Sequence, residues 1–465
     1  MRRSEQFLLA AASCLALLPI QTRAASLAPP DEEIRKILAD RIDKYADGVG
    51  AVVGVVDAQG PRVVAYGKRE AGRPETVDRD SVFAIASLSK IFTSLILADM
   101  VERGEVALDD PAEKYLGIRM PERGGRRITL ADLATHTSGL PRDAPIGPDG
   151  NPTPETVQFL ATYKLTHDIG THFAYSNIGV VLLGDALARR AGLTYAQLLQ
   201  AYVARPLGLR NTSSGLGGAA SADRATGHDT EFEPLPADNL EQYGGAGSIQ
   251  SSASDLATVL SAFLGYTKSP LAAAMSSMFD IKRSRVPWFY LRGLATNINV
   301  HLGWLESKEG GSLIRWADGA VPGYRSFLGI DAESRIGVAV LANADSVGVE
   351  DIGFHILNPK APLLGPRELH KHKEISLDAE VLNRYAGRYQ FPEQKATVKR
   401  VRDHLTMSGD VDGGTPIAYF AETERDFYSR DGFYEMHFHT DRKGRVKGFT
   451  FRNSSFSKEV RRIEE

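Results

Sequence analysis

A serine and a lysine three residues apart stand at the head of an apolar stretch of the chain. Ser87 and Lys90 lie in the segment 83–92, which reads FAIASLSKIF. Positions i and i+3 of a helix share one face, so the Lys90 amino group can reach the Ser87 hydroxyl. A desolvated amine near its neutral form can accept the hydroxyl proton, and a serine in the first turn meets the positive end of the helix dipole. The pair predicts a serine nucleophile that a lysine activates.

The same Ser-x-x-Lys spacing occurs again at Ser455 and Lys458, in a tail without helical periodicity. The tetrapeptide alone carries little information, so other elements must decide between the two copies. Tyr175 and Asn177 form the second element, directly before an apolar helical stretch. A tyrosine near a lysine can act as a proton acceptor or relay, and an amide can donate to and accept from a substrate amide. The alternative interpretation is a core aromatic residue followed by a helix cap.

The third element is the segment Ala317-Asp318-Gly319-Ala320, at the end of a predicted strand. A glycine at this position lets a ligand come close to the strand. The Ala320 N–H could then join the Ser87 N–H in an oxyanion hole. Read alone, the segment is a strand followed by a Pro-Gly turn.

The histidines of the chain give no site of comparable strength. The set of Ser87, Lys90 and Tyr175 needs no histidine, so we predict a structural hydrogen-bonding role for His136. His437 and His439 share one strand face but lack a third ligand nearby, which predicts no metal site. We expect no cofactor and no metal. The aromatic run 286–291 is predicted to be core or the wall of a pocket, with one rim of the cleft as its functional alternative.

Composition limits the class of protein. The chain has 465 residues, a formal net charge of −3 and one cysteine. This charge gives no reason to expect nucleic acid as a partner, and no stretch after the first residues is apolar enough to span a membrane.

Residues 1–24 have the basic start, apolar middle and small-residue end of a secretory signal peptide, which contains Cys14. A lipoprotein role of Cys14 is the weaker interpretation. We expect a periplasmic or secreted product without thiol chemistry.

The hydrophobic pattern predicts two structural units. A helix from residue 31 and strands at 49–56 and 63–66 precede a mostly helical middle, and strands return at 313–316, 324–330 and 336–341, followed by a helix at 349–357. The simplest packing is an α/β (α+β) fold in which one antiparallel sheet is flanked by helices and carries an inserted helical lobe. We predict a signal peptide at 1–24, a catalytic domain at 25–357, a linker at 358–376 and a small all-β barrel or sandwich at 377–465. The predicted strands of this last unit are 385–389, 396–401, 405–407, 426–428, 436–439 and 446–451.

Together the three elements resemble the penicillin-recognising serine hydrolases, the group of class C β-lactamases, DD-peptidases and related esterases. Ser87-x-x-Lys90, Tyr175-x-Asn177 and the segment around Gly319 stand in the family's order. Further segments that look like this family are 109–116, 128–141, 206–209, 245–248, 254–256 and 303–304. The block around His136 is most similar to periplasmic DD-carboxypeptidase/endopeptidases of the AmpH type. The region from residue 377 resembles the lipocalin-like domain attached to some members.

The resemblance implies a role for each matching residue. Ser87 would be the nucleophile that accepts the acyl group, Lys90 its activating partner and Tyr175 the general base. Asn177 would contact the substrate amide, and the backbone around Gly319, with the N–H of Ala320, would hold the oxyanion. The substrate would be a small molecule or a peptide: a peptidoglycan peptide, a β-lactam or an ester.

One position departs from the family pattern. The third motif normally opens with Lys or His, a cation that meets the substrate carboxylate, and here that residue is Ala317. Arg315 or Arg325 could replace the cation, although two strand residues span about 7 Å. Ala317 therefore keeps a second hypothesis open, a carboxylesterase or D-amino-acid amidase on the same apparatus. A catalytically silent binding protein is the third, and the intact Ser87, Lys90, Tyr175 and Asn177 argue against it.

Overall fold

The structure is a computed structural model that describes residues 28–215, 223–229, 231–237, 240–286, 298–345, 349–363, 372–391, 395–409, 417–429, 434–452 and 457–463. The predicted signal peptide, the aromatic run from 287 onwards and Ser455 lie outside the described residues. Within the described residues, no helix is both long and apolar enough to cross a membrane.

The α-helices are α1 (Asp31–Ala39), α2 (Ser89–Glu102), α3 (Glu113–Leu116), α4 (Leu130–Ala134), α5 (Pro154–Thr162), α6 (Asn177–Ala191), α7 (Tyr195–Leu199), α8 (Arg205–Leu207), α9 (Gly244–Gly247), α10 (Ala253–Phe263), α11 (Ala272–Ser277), α12 (Val349–Leu357) and α13 (Ala379–Tyr385). Short 3-10 turns cover Ala86–Leu88 and Leu240–Tyr243, and π turns follow α1 (Asp40–Lys44) and α7 (Gln200–Ala204).

The strands are β1 (Gly50–Asp57), β2 (Gly60–Gly67), β3 (Val82–Ala84), β4 (Glu122–Arg123), β5 (Arg126–Arg127), β6 (Ser213–Ser214), β7 (Ile249–Ser252), β8 (Arg283–Val286), β9 (Ile298–Val300), β10 (Leu305–Glu309), β11 (Ser312–Val321), β12 (Tyr324–Asp331), β13 (Ile336–Ala342), β14 (Gly387–Gln390), β15 (Lys395–Val401), β16 (His404–Gly409), β17 (Ile417–Ala421), β18 (Asp426–Tyr428), β19 (Glu435–Thr440), β20 (Val446–Arg452) and β21 (Ser457–Arg462).

One antiparallel sheet joins the early and the late strands, in the order β2-β1-β13-β12-β11-β10-β9-β8. Strand β1 pairs with β13 from Ala51↔Ala342 to Val56↔Gly337, although the two strands lie almost 300 residues apart in the chain. The predicted α/β fold with an antiparallel sheet is therefore confirmed. Every residue of β1 and of β13 is buried, since helices cover both faces of the sheet.

Helix α2, which follows Ser87, lies inside the domain. From Ser89 to Met100 every residue of the helix is buried, including the ionisable side chains of Lys90 and Asp99, so other elements enclose this helix. Leu88, Ile91 and Leu95 belong to the large core that also includes α6 and α10. A second core, which includes α1 and α12, covers the opposite face of the sheet. The start of α2 is thus held by packing on all sides, which fixes the position of Ser87.

Strands β14 to β21 form a closed antiparallel barrel in chain order, in which β14 pairs with β21. This confirms the predicted all-β unit at the C-terminal end. Aromatic side chains fill its interior, among them Tyr389, Phe438 and Phe449.

The region around Tyr385 was predicted as strand and is instead the end of helix α13, because Leu382 and Tyr385 are buried three residues apart on one helical face. Strands β17 and β21 were not predicted.

Candidate active site

Ser87 lies in a tight turn between strand β3 and helix α2. The turn is a 3-10 helix rather than the predicted first turn of an α-helix, and it brings residues i and i+3 into line. Ala86, directly before the serine, has a φ of 49°, a left-handed conformation that costs a non-glycine residue energy. Ile85 holds the turn from both sides: its N–H donates to Ile249 O and its carbonyl accepts from Ser326 Oγ. The half-buried Ser87 side chain is therefore set by its backbone.

The Lys90 side chain is buried and points at the serine. Its Nζ lies 2.9 Å from Ser87 Oγ and 2.7 Å from the carbonyl oxygen of Ala246 in α9. No carboxylate among the described residues forms an ion pair with it. Burial therefore lowers the pKa of Lys90, and the positive charge of Arg142 acts in the same direction against the opposing effect of Tyr175.

Tyr175 reaches the same serine from the helical lobe. Its hydroxyl lies 2.7 Å from Ser87 Oγ, and its ring centroid lies 4.8 Å from Lys90 Nζ. Residues 88 positions apart in the chain thus meet at one oxygen atom. Two groups that can carry a proton contact Ser87 Oγ, which is the arrangement that activation of a hydroxyl nucleophile requires.

Gly319 lies directly behind the serine turn. A Cβ atom at this position would lie 2.5 Å from Ile85 O and 3.0 Å from Ser87 N, distances that a side chain does not tolerate. Strand β10 pairs with β11 only as far as Trp316, so the residues of β11 that follow form an edge on that side. Ala320, on this edge, is exposed. The backbone of β11 thus comes within close contact of the serine turn, where an oxyanion would form.

Asn177 is the first residue of α6, and Ser176 is the N-cap, whose Oγ accepts from Gly179 N. The Asn177 side chain donates to Asp143 Oδ1 at 2.9 Å. Its backbone N–H donates to the carbonyl of Arg142 at 2.7 Å. The structure therefore brings Asn177 beside Tyr175 but turns its amide toward a loop that the motif analysis did not include.

This loop, residues 136–143, holds the second motif in place. His136 contacts both neighbours of Tyr175: its carbonyl accepts from Ala174 N at 2.8 Å and its Nδ1 accepts from Ser176 N at 3.1 Å. Its ring stacks on the Tyr175 ring with centroids 4.4 Å apart, and Pro141 O accepts from Ser176 Oγ at 2.7 Å. The 136–143 loop thus binds both sides of the tyrosine.

The charge state of His136 suits this role. Burial above all, with added repulsion from Lys90 and Arg142, lowers its pKa to about 3. The imidazole is therefore neutral at physiological pH, and Nδ1 is free of a proton and accepts the Ser176 N–H. The predicted structural hydrogen-bonding contacts of His136 are present, and their target is the backbone on either side of Tyr175.

The two arginines considered as replacements for the missing cation have other partners. Arg315 Nε lies 3.3 Å from Glu306 Oε2, and its guanidinium stacks over Phe279. Arg325 is buried and donates to Asp345 Oδ1 at 2.7 Å. Ala317 itself is buried, with 8% of its surface exposed. Neither arginine is thus directed to the position beside the serine.

No metal site accompanies these residues. In the part of the chain that the structure describes, no three histidine, cysteine or acidic side chains are placed to hold a metal ion. His437 and His439 lie on β19 and contact Asp426 and Thr450 instead. Lys458, of the second Ser-x-x-Lys copy, lies exposed on strand β21.

Comparison with known proteins gives the family. The model of the beta-lactamase family matches residues 38–354, from α1 to α12, and contains every residue of the site. The chain belongs to this family. A second family model, a domain of unknown function called DUF3471, matches residues 371–465. The chain is 30% identical over 362 residues to the D-alanyl-D-alanine-carboxypeptidase/endopeptidase AmpH of Escherichia coli, an alignment that covers 73% of this chain and 91% of AmpH.

Solved structures share the fold. A beta-lactamase/D-alanine carboxypeptidase from Yersinia pestis superposes with a TM-score of 0.60 at 26% identity, covering 71% of this chain and 97% of that chain. An octameric penicillin-binding protein homologue from Pyrococcus abyssi superposes with a TM-score of 0.62 at 21% identity, covering 92% of this chain and 99% of the other. This beta-lactamase family member is thus related to D-Ala-D-Ala carboxypeptidases.

Proposed function

We propose that the chain is an exported serine hydrolase that forms an acyl-enzyme on Ser87 and acts on peptidoglycan peptides or β-lactams, as a DD-carboxypeptidase/endopeptidase or a β-lactamase-type enzyme. One observation carries the proposal: Lys90 Nζ and Tyr175 OH, from distant parts of the chain, lie 2.9 Å and 2.7 Å from Ser87 Oγ. The relationship to AmpH supports a D-alanyl peptide as substrate, and the signal-like residues 1–24 support export.

Acylation begins with attack of Ser87 Oγ on the substrate carbonyl carbon. Tyr175 accepts the hydroxyl proton as general base while its own phenol proton passes to the neutral amine of Lys90, as the new C–O bond forms. The backbone N–H groups of Ser87 and Ala320 stabilise the negative oxygen of the tetrahedral intermediate. The same proton then goes to the leaving nitrogen, the C–N bond breaks and an ester on Ser87 remains.

Deacylation repeats the sequence with water as the nucleophile. Tyr175 and Lys90 accept one proton of the water as its oxygen attacks the ester carbonyl. The oxygen of Ser87 leaves and takes the proton back, so the enzyme returns to its starting state. Asn177 would hold the amide of the substrate through both steps, once its own contact with Asp143 is exchanged for that amide.

Labelling with a fluorescent penicillin tests the nucleophile. The intact protein should form a covalent adduct on Ser87, which mass spectrometry of the digested protein can locate, and Ser87→Ala should form none. Ser455→Ala is the matched control, because it removes the serine of the other Ser-x-x-Lys copy, and it should label like the wild type. Equal labelling of the wild type and Ser87→Ala would remove Ser87 as the nucleophile.

The second candidate is a carboxylesterase or D-amino-acid amidase on the same residues, favoured by Ala317. A panel of short-chain p-nitrophenyl esters, D-amino-acid amides and peptides ending in D-Ala-D-Ala separates the two candidates. Release of D-alanine with little turnover of esters and amides supports the first. Efficient turnover of esters or amides without release of D-alanine supports the second.

A further inference from the structure

An exposed, positively charged side chain that belongs to none of the three motifs lies beside Tyr175. Arg142, in the 136–143 loop, places its guanidinium carbon 5.1 Å from the centroid of the Tyr175 ring. Its side chain is 43% exposed, whereas Lys90 is buried. The guanidinium is therefore accessible from solvent beside the Tyr175 ring.

The backbone holds Arg142 in this place. Its carbonyl oxygen accepts from Asn177 N at 2.7 Å and from Ile178 N at 3.2 Å, the first residues of α6. The neighbouring carboxylate of Asp143 accepts from the Asn177 side chain and forms an ion pair with Arg142, whose Nε lies 3.9 Å from Asp143 Oδ2. The position of Arg142 is thus coupled to the position of Tyr175 through the start of α6.

The charge of Arg142 acts on the reacting groups. After burial, which is the larger effect, its positive charge contributes to lowering the pKa of both Lys90 and His136. The Asp143 carboxylate acts on Lys90 in the opposite direction and pairs with Arg142. An anionic group of the substrate would take the place of this carboxylate beside the half-exposed guanidinium.

We propose that Arg142 binds the carboxylate of the substrate, in place of the cation that Ala317 lacks. The substrate class is then an acyl-peptide whose leaving amino acid bears a free carboxylate. The guanidinium lies over the Tyr175 ring, with its carbon 5.1 Å from the ring centroid, and the hydroxyl of the same ring lies 2.7 Å from Ser87 Oγ. One amino-acid residue with a hydrogen bond at each end spans roughly 9 Å, so a residue bound at Ser87 can reach past one aromatic ring to Arg142. Guanidinium also pairs with carboxylate through two parallel hydrogen bonds.

This inference rests on the proposed function, and a pair of substrates tests it. The pair is an N-acyl-D-Ala-D-Ala peptide and the same peptide with a C-terminal amide, which differ only in the carboxylate. We expect the wild type to prefer the acid at least tenfold in kcat/KM. Arg142→Gln should lower kcat/KM on the acid by about 10- to 100-fold, mainly through KM, and change the amide less than about threefold. Arg142→Lys should restore part of the loss.

Arg103→Gln is the matched control. Arg103 stacks over Tyr202, also at 5.1 Å, and its side chain is 50% exposed, but it lies at the far end of α2. This variant should leave both substrates unchanged. An equal loss on acid and amide in Arg142→Gln would show that Arg142 acts on Tyr175 or Lys90, and would overturn the inference. A wild type that cleaves both substrates equally overturns it too, whereas absence of any Ser87-dependent hydrolysis overturns the proposed function itself.

Discussion

The surroundings of Lys90 and His136 at the candidate active site differ from those of the histidines in the C-terminal barrel. Beside Ser87, Lys90 and His136 are almost completely buried, and no carboxylate among the described residues forms an ion pair with either of them. Burial without a balancing charge lowers the pKa of both groups. The site thus favours the neutral form of both bases, and His136, with a pKa of about 3, is neutral at physiological pH.

The barrel pairs each comparable histidine with a carboxylate. His372 Nδ1 lies 2.9 Å from Glu422 Oε2, and His437 Nδ1 lies 2.5 Å from Asp426 Oδ1. Together with Arg452 and Glu435 these groups line one polar cleft, which is open to solvent. The difference teaches that desolvation combined with the absence of a counter-ion distinguishes the reactive site from an ordinary polar cluster.

Replacement of the unpaired lysine should have the largest effect. Lys90→Ala removes the group that assists the proton transfer from Ser87, so the acylation rate should fall by about 10³-fold. Rapid-mixing kinetics with a chromogenic β-lactam or ester would measure this rate. Lys458→Ala changes an exposed lysine in the barrel, and its acylation rate should stay within about twofold of the wild-type rate. A comparable loss in Lys458→Ala would contradict the division between the two regions.

The pH profile of acylation should show the lowered pKa of Lys90. The amine accepts a proton only in its neutral form, so kcat/KM should rise with pH and level off well below pH 10.5, the ordinary value for lysine. Arg142→Gln removes a positive charge and should shift this rising limb toward higher pH. If kcat/KM instead begins to rise only near pH 10.5, Lys90 is charged at lower pH in the free enzyme and its pKa is not lowered.

Gly319→Ala tests how closely β11 approaches the serine turn. The new Cβ would lie 3.0 Å from Ser87 N and 2.5 Å from Ile85 O, so the turn must move and activity should fall by about 10²-fold. Gly444→Ala in the barrel is the control: its φ of 77° strains an alanine, but no heavy atom lies within 4 Å of the new Cβ. It should cost about 1 kcal/mol of barrel stability and no activity.

His136→Ala should have a smaller effect, about 10- to 30-fold on kcat, because it removes a ring contact and one hydrogen bond beside Tyr175 but no reacting group. With a pKa of about 3, His136 is neutral from pH 5 to 8, so wild-type activity should show no inflection from it in that range. Steady-state kinetics from pH 5 to 8 measures the loss of kcat in His136→Ala and the pH dependence of the wild type. His437→Ala, from the paired group in the barrel, should leave kcat unchanged, and a loss there would argue for a catalytic role of the barrel.

Glu309 gives the smallest effect and concerns stability alone. Burial raises its pKa to about 7, against the hydrogen bond from Ser307, so the folded domain loses stability as pH rises from about 4.5 to 7. Glu309→Gln should remove this dependence and raise the free energy of unfolding at pH 8 by about 1–3 kcal/mol, with little change at pH 4.5. Denaturation followed by tryptophan fluorescence reports on the hydrolase domain only, because Trp288, Trp304 and Trp316 all lie there.

Much of the fold could be predicted from local patterns. The β-branched residues of β1, β2 and β13 indicate strands, and one antiparallel sheet is the simplest way to bury them. The spacing of Ser87 and Lys90 predicted their contact because three residues make about one helical turn. Strands β17 and β21 were missed, since short strands in a barrel carry a weak pattern of their own.

The sequence by itself determined the reactive set, because residue type and helical spacing decide which of its side chains can exchange a proton. Only the tertiary structure decided how that set is held and which charged side chain lies beside Tyr175. The 136–143 loop holds Tyr175 in place largely through hydrogen bonds that involve the backbone of its neighbours Ala174 and Ser176. Any residue type provides backbone carbonyl and N–H groups, so these contacts leave no pattern in the sequence. Arg142 likewise acquires its place beside Tyr175 from the hydrogen bonds of its own backbone to α6. The depth of burial that lowers the pKa of Lys90 also depends on the helices packed around it.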